Sequence, residues 1–149
     1  MRNLRPKERG TPPPPSPWAR CQAKSRGGQL YFNRSGQLLA SAEGLRDAAA
    51  LESAVATPQA TFGGEFLHTS IPAMAAAYLF HLCQNHPFVD GNKRVGANTA
   101  ITFLLMNDWE PTFAEEELVD LVLSVASGGL SKPRLIEVFE SRCRLSESA

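Results

Sequence analysis

The nine residues HPFVDGNKR, which run from His86 to Arg94, combine groups that an ordinary helix or strand would not concentrate. They contain a histidine, an aspartate, an asparagine and two adjacent cations, and their proline and glycine interrupt regular helix. Mostly apolar segments lie on both sides. The stretch therefore predicts a polar loop that joins two buried helices, and the rest of the fold is predicted outward from it.

Two helices are predicted to flank the loop. The segment IPAMAAAYLFHLCQN (71–85) follows two candidate N-cap residues, Thr69 and Ser70. It is apolar almost all round, which indicates a buried central helix. Pro87 must end this helix, because proline disfavours helical geometry in the residue before it. After the loop, VGANTAITFLLMN predicts a second buried helix that closes near Asn107.

Three further helices are predicted. Apolar residues recur at three-to-four-residue spacing in GLRDAAALESAVA (44–56), AEEELVDLVLSVASGG (114–129) and SKPRLIEVFESRC (131–143). One short hairpin is possible near residues 62–67. The predicted fold is therefore an all-α, compact helical bundle with the HPFVDGNKR loop between its two central helices.

The first 36 residues differ in composition from the rest of the chain. They carry eight Lys and Arg against one Glu, and six of the eleven prolines lie in the first seventeen residues. Such a segment buries too little apolar surface to offset its chain entropy. We expect a disordered, basic, proline-rich leader at 1–36 and a helical domain at 37–145. Trp18 is the one aromatic residue among the first thirty, which argues against a nucleic-acid-binding tail.

Deletion of residues 1–28 is expected to leave the domain folded, because this segment offers no core-forming pattern. Thermal unfolding of the full and shortened chains measures this. A melting temperature lowered by several degrees would mean that the leader is packed against the domain.

The cysteines and the hydropathy of the sequence indicate the cellular compartment in which the protein is expected. The three cysteines are odd in number and widely spaced, which fits free thiols in a reducing cytoplasm. The N-terminus has no signal-peptide core. The longest apolar stretch, near residues 71–82, is shorter than the roughly 20 residues that span a bilayer. These observations predict a soluble cytoplasmic protein with no membrane contact.

The second half of the loop is predicted to bind an anion. Gly91, Asn92 and Lys93 begin the second central helix, where free backbone N–H groups and the positive end of the helix dipole attract negative charge. Lys93 and Arg94 add two cations, and Asn98 shares a helix face with Arg94. The inferred ligand is a polyphosphate.

The first half of the loop supplies groups for transfer chemistry. Asp90 is placed to hold Mg²⁺, which takes one or two carboxylates together with substrate phosphates. His86 can accept a proton near neutral pH and activate a hydroxyl. Base, metal ligand and phosphate cradle together indicate transfer of a phosphorus-containing group.

Each titratable residue also has an ordinary structural interpretation. Taken singly, His86 would be a helix-end histidine and Asp90 a turn residue. A zinc site from His81, Cys83 and His86 is conceivable, but the spacing fits no common ligand pattern. His68 is predicted to be a polar surface residue.

The stretch HPFVDGNKR resembles the Fic/Doc signature, His-x-Phe-x-(Asp/Glu)-(Gly/Ala)-Asn-(Gly/Lys)-Arg. The resemblance continues through GLRDAAALESAVATPQATFGGE, AAAYLFHLCQNHPFVDGNKR and LVLSVASGGLS, over about residues 43–140, and is strongest to the death-on-curing (Doc) toxins. It implies that His86 is the catalytic base, that Asp90 binds Mg²⁺, and that the nucleotide is held by the remaining motif positions. Those positions are Gly91, Asn92, Lys93, Arg94 and Asn98.

Lys93 is the residue of the signature that indicates which group of the nucleotide is transferred. Fic proteins that transfer AMP usually have glycine there, whereas a lysine in Doc-like members accompanies an inverted nucleotide that presents its γ-phosphate. The resemblance implies that ATP phosphorylates a hydroxyl of elongation factor Tu and that translation stops. It also implies a Phd-like antitoxin as partner, because the sequence contains no (Ser/Thr)-x-x-x-Glu-(Gly/Asn) inhibitory helix.

Two alternatives stay open at the level of sequence. A Fic-type AMP transferase is compatible with the intact His86, Asp90 and Arg94. A catalytically decayed binding module is compatible with the unusual N-terminus, where YFNRSGQLLASAE (31–43) stands in place of the family's opening helix.

Overall fold

Helices build most of the described part of the chain. In a computed structural model, the described residues are 30–32, 38–40 and 44–147, and they form five helices and three two-stranded antiparallel sheets. The elements in chain order are β1 (Leu30–Phe32), β2 (Leu38–Ala40), α1 (Ala48–Ala56), β3 (Thr61–Phe62), β4 (Glu65–Phe66), α2 (Ile71–Asn85), α3 (Asn92–Met106), β5 (Trp109–Pro111), α4 (Glu115–Ala126), α5 (Lys132–Arg142) and β6 (Cys143–Leu145). The predicted helical bundle is confirmed.

Helix α2 lies at the centre of the bundle. Every residue from 71 to 79 is buried, and the helix packs against α1, α3, α4 and α5. It begins where the sequence predicts, because the Ser70 hydroxyl accepts a hydrogen bond from the Ala73 N–H at 3.1 Å. The largest fully buried side chains include Tyr78, Leu79 and Leu82 of α2 itself, and Leu104, Leu135 and Phe139 of α3 and α5.

The two central helices approach closely at Gly96 of α3. A Cβ atom at this position would lie 3.3 Å from both the Cys83 sulfur and the Leu79 carbonyl oxygen of α2. Glycine therefore removes the side chain that would hold the helices apart. This close contact fixes the end of α2 relative to the start of α3, and the HPFVDGNKR loop joins those two points.

The C-terminal end is secured by a strand pair that the sequence did not predict. Strands β5 and β6 pair antiparallel, with Trp109 opposite Leu145. Beside them, the Arg142 guanidinium forms an ion pair with Glu117 at 2.6 Å and lies over the Phe113 ring at 5.4 Å from its centroid. These contacts tie α5 to the segment between α3 and α4.

The described strands before residue 41 fall on both sides of the predicted leader boundary. Strand β1 lies within 1–36 and pairs with β2, with Leu30 opposite Ala40. It also lies against α3. Residues 1–29 and 33–36 of the predicted leader lie outside the described part of the chain, so the disordered leader and its boundary stay a prediction.

Two other local predictions have different outcomes. The hairpin predicted near residues 62–67 is confirmed as β3–β4. Helix α1, however, begins at Ala48 instead of Gly44, because residues 44–47 pair with the HPFVDGNKR loop. The longest helices in the described ranges have 15 residues, and none of the described helices could cross a membrane.

Candidate active site

The loop begins at a strained residue. Helix α2 ends at Asn85, and His86 adopts a left-handed conformation with φ 47° and ψ 54°. Few residues other than glycine adopt this conformation, although histidine does so more often than most. The backbone reversal leaves the His86 side chain exposed beyond the end of the helix. An exposed imidazole can exchange a proton with a substrate, as a general base requires.

The middle of the loop is anchored by Phe88 and Asn92. The Phe88 side chain is only 1% exposed and belongs to the core. Its backbone N–H donates to the Asn92 Oδ1, and the Asn92 Nδ2 donates to its carbonyl oxygen, both at 2.9 Å. The Asn92 side chain thus closes the loop, which leaves its backbone N–H as the group available to an anion.

The start of α3 has the geometry of an anion-binding site. Gly91 is the N-cap with φ 81°, and no side chain among the described residues caps the first turn. The first intrahelical bond is donated by the Val95 N–H to the Gly91 carbonyl at 2.9 Å. The three preceding N–H groups, on residues 92–94, have no partner within the helix. These groups form the positive end of the helix dipole, and two exposed cations, Lys93 and Arg94, lie at the same end.

Asp90 and Asn98 flank this helix start. The exposed Asp90 carboxylate accepts a hydrogen bond from the Gly91 N–H at 2.8 Å through Oδ1. Asn98 is half-buried one turn beyond Arg94. The structure thus places all seven predicted site residues on the α2–α3 connection or the first two turns of α3.

The residues before α1 form backbone hydrogen bonds with the HPFVDGNKR loop. The Val89 N–H donates to the Gly44 carbonyl at 2.8 Å, and the Arg46 N–H donates to the Pro87 carbonyl at 2.8 Å. Leu45 and Phe88 therefore form an isolated antiparallel bridge. This pairing explains why residues 44–47 are not helical.

The Arg46 side chain reaches the same loop. Its Nε donates to the His86 carbonyl at 2.8 Å and its Nη2 donates to the Asn85 carbonyl at 3.3 Å. The Asn85 side chain in turn donates to the Ala50 carbonyl at 3.1 Å. Sequence reasoning missed Arg46 because it assigned GLRD to a helix. The one available signal was Asp47, whose side chain caps α1 by accepting from the Ala50 N–H.

A depression of about 570 Å³ opens beside Lys93 at the start of α3. It mixes one cation, one carboxylate, two hydroxyls and apolar surface. Its lining residues are Lys93, Asp120, Leu123, Ser124, Ala126 and Ser127. All except Lys93 lie on α4 or at its C-cap, Ser127, so this helix forms one wall of a space that begins at Lys93.

The predicted Mg²⁺ site fits a substrate-borne metal better than a closed protein site. In the described ranges, no cluster of three or more His, Cys, Asp or Glu side chains could hold a metal ion. The alternative zinc triad of His81, Cys83 and His86 is therefore not formed. Asp90 supplies one exposed carboxylate, which is sufficient where substrate phosphates complete the coordination.

The two described cysteines are buried, and their thiols are expected to be unreactive. Burial raises the pKa of the Cys83 thiol to about 11, although the charge of Lys93 opposes the shift. Burial likewise raises the pKa of Cys143 to about 12. Both remain protonated at neutral pH, so neither is a candidate nucleophile.

A second group of titratable residues lies away from the loop. His68, predicted as a surface residue, is buried at 9% exposure, and this prediction is wrong. Burial lowers the pKa of His68, and the Lys132 charge lowers it further. Burial also lowers the pKa of His81 to about 4, with Lys132 and His68 adding to the shift. The buried Nδ1 of His68 and Nε2 of His81 have no hydrogen-bond partner among the described residues.

This group predicts a pH-dependent stability. The folded-state pKa of His81 lies below its ordinary value of 6.5, so neutral His81 contributes stability that is fully present above pH 6.5. The contribution is lost as the pH falls from 6.5 towards 4, because the unfolded chain then binds the proton more readily. We expect His81→Gln to flatten the melting temperature profile in this interval. Identical slopes for both proteins between those pH values would contradict the assignment.

The fold and the loop together define a class of protein, an α-helical domain with a histidine- and arginine-bearing loop between its two central helices. A family model described as the Fic/DOC family matches residues 26–104, which is more than half of the chain. The chain belongs to the Fic/DOC family.

Two curated relatives are each similar to more than half of the chain. "Toxin Doc" of Mycolicibacterium smegmatis is 40% identical over 85 residues, covering 56% of this chain and 65% of the relative. "Protein kinase doc" of Escherichia phage P1 is 33% identical over 88 residues, covering 59% of this chain and 68% of the relative. The similarity thus spans about two thirds of the length of each relative.

Proposed function

We propose that this protein is a Doc-type toxin that transfers the γ-phosphate of ATP to a hydroxyl of elongation factor Tu and thereby arrests translation. The observation that carries the proposal is the loop itself. Within nine residues it joins an exposed histidine, an exposed carboxylate and an uncapped helix start with two cations. The names of the two relatives, a Doc toxin and a protein kinase, support the same activity.

The chemistry follows from the positions of these groups. His86 accepts the proton of the target hydroxyl, and the hydroxyl oxygen attacks the γ-phosphorus as the bond to the ADP oxygen breaks. The N–H groups of residues 92–94 and the Arg94 guanidinium stabilise the charge on the transferring phosphoryl group. Mg²⁺, held by Asp90 and the phosphates, would supply further charge neutralisation when bound. The depression that begins at Lys93 offers room for the rest of the nucleotide.

The proposed setting is the cytoplasm, with a Phd-like antitoxin as the partner that restrains the toxin. A separate antitoxin is needed in this account because the sequence lacks an inhibitory helix of its own. Membrane and nucleic acid have no part in the mechanism.

The target is tested in a bacterial translation extract supplied with γ-labelled ATP. We expect one labelled protein, elongation factor Tu, and translation that recovers when the unmodified factor is added back. Arrest without label on elongation factor Tu, or label on another protein, would contradict the proposed target.

A further inference from the structure

We propose that Arg46 is a positioning residue that holds the His86 backbone in its left-handed conformation and so aims the imidazole at the reacting hydroxyl. The inference rests on the proposed function, because its kinetic test measures phosphate transfer. Arg46 touches neither of the groups that would react. It acts through the carbonyl groups on either side of the His86 turn.

The first argument is the position of the guanidinium. The last carbonyl groups of a helix lack intrahelical partners and form the negative end of its dipole. Arg46 places its charge at the end of α2, with Nε 2.8 Å from the His86 oxygen and Nη2 3.3 Å from the Asn85 oxygen. A cation is favoured there, and it binds the two carbonyls between which the chain reverses.

The second argument is the strain at His86. A non-glycine residue in a left-handed conformation persists only where its surroundings hold it in place. Here both flanks are held by the same short segment. The Pro87 oxygen accepts from the N–H groups of Arg46 and Asp47, at 2.8 and 3.1 Å, while the Arg46 side chain holds the preceding carbonyls.

The third argument concerns residue type. The planar guanidinium directs two N–H donors in fixed directions, which matches two carbonyl oxygens on successive residues. A lysine ammonium would keep the charge, but it would not present two donors in fixed directions. The site therefore requires arginine in particular, and this requirement separates positioning from a general electrostatic effect.

The test compares Arg46→Ala and Arg46→Lys with Arg134→Ala. Arg134 is a matched control because it is an exposed arginine whose side chain bonds only Glu137 on its own helix among the described contacts. We expect Arg46→Ala to lower kcat about tenfold or more, because a small misplacement of a reacting group is costly. The KM for ATP should stay within about threefold, since the nucleotide site is intact.

Arg46→Lys should recover only part of the rate, and added methylguanidine should restore activity to Arg46→Ala.

A second measurement follows the imidazole without the reaction. The ring resonances of His86 in the NMR spectrum should be single and sharp in the wild type and shifted or broadened in Arg46→Ala. The inference is overturned if kcat per folded molecule stays within about threefold of wild type, or if the His86 resonances do not change. If the wild type transfers no phosphate, the proposed function fails, and the resonances alone decide whether Arg46 restrains His86.

Discussion

Replacement of His86 by alanine is expected to lower phosphate transfer by about 10²–10⁴-fold, because the proposed mechanism assigns to this imidazole the acceptance of the hydroxyl proton. The fold should survive, since the side chain is exposed and makes no contribution to the core. Initial rates with labelled ATP and a melting curve measure the two effects on the same preparation.

A histidine outside the loop supplies the control. His81→Gln should retain phosphate transfer at pH 7.5, because His81 is not one of the predicted site residues and its charge interactions are with His68 and Lys132. Transfer by His86→Ala within about threefold of the wild-type rate would remove His86 from the mechanism.

The second large effect is expected at Lys93. If its ammonium and bulk orient the nucleotide, Lys93→Gly should lose about one to two decades of γ-phosphate transfer, since a charge-assisted hydrogen bond is worth about 1.5–3 kcal/mol. Some AMP transfer is expected to appear, because His86, Asp90 and Arg94 can serve either orientation of the nucleotide. Transfer rates with γ- and α-labelled ATP measure both changes.

Lys93→Met separates the two properties of the side chain. Methionine retains most of the bulk without the charge, so this variant should lose phosphate transfer without gaining AMP transfer. If Lys93→Gly keeps the wild-type rate and the γ label, the lysine does not set the reaction, and α4, which lines the depression beside it, becomes the candidate determinant.

Local features of the fold were predictable from the sequence. Helix α2 has the predicted limits because its start and end depend on neighbouring residues, the Ser70 cap and the stop imposed by Pro87. The polar loop and the helix start at Asn92 were predictable for the same reason. The hairpin β3–β4 also has its glycine turn within the segment itself.

Features that depend on distant partners were not predictable. Strands β5 and β6 have three residues each and are separated by two helices, so neither carries a periodic pattern of its own. Leu45 in GLRD continues the apolar spacing of the helix that follows, yet residues 87–89 bond to this segment and keep it out of the helix. The role of Arg46 follows from that pairing, and the burial of His68 likewise depends on how the chain folds around it.

The most direct measurement is the identity of the group that the wild-type protein transfers. Purified elongation factor Tu is incubated with the protein, Mg²⁺ and ATP labelled at either the α- or the γ-phosphate. The account predicts that only the γ label reaches the target and that His86→Ala abolishes this transfer. Transfer of the α label would show an AMP transferase despite Lys93, and transfer of neither label would favour a binding module without catalytic activity.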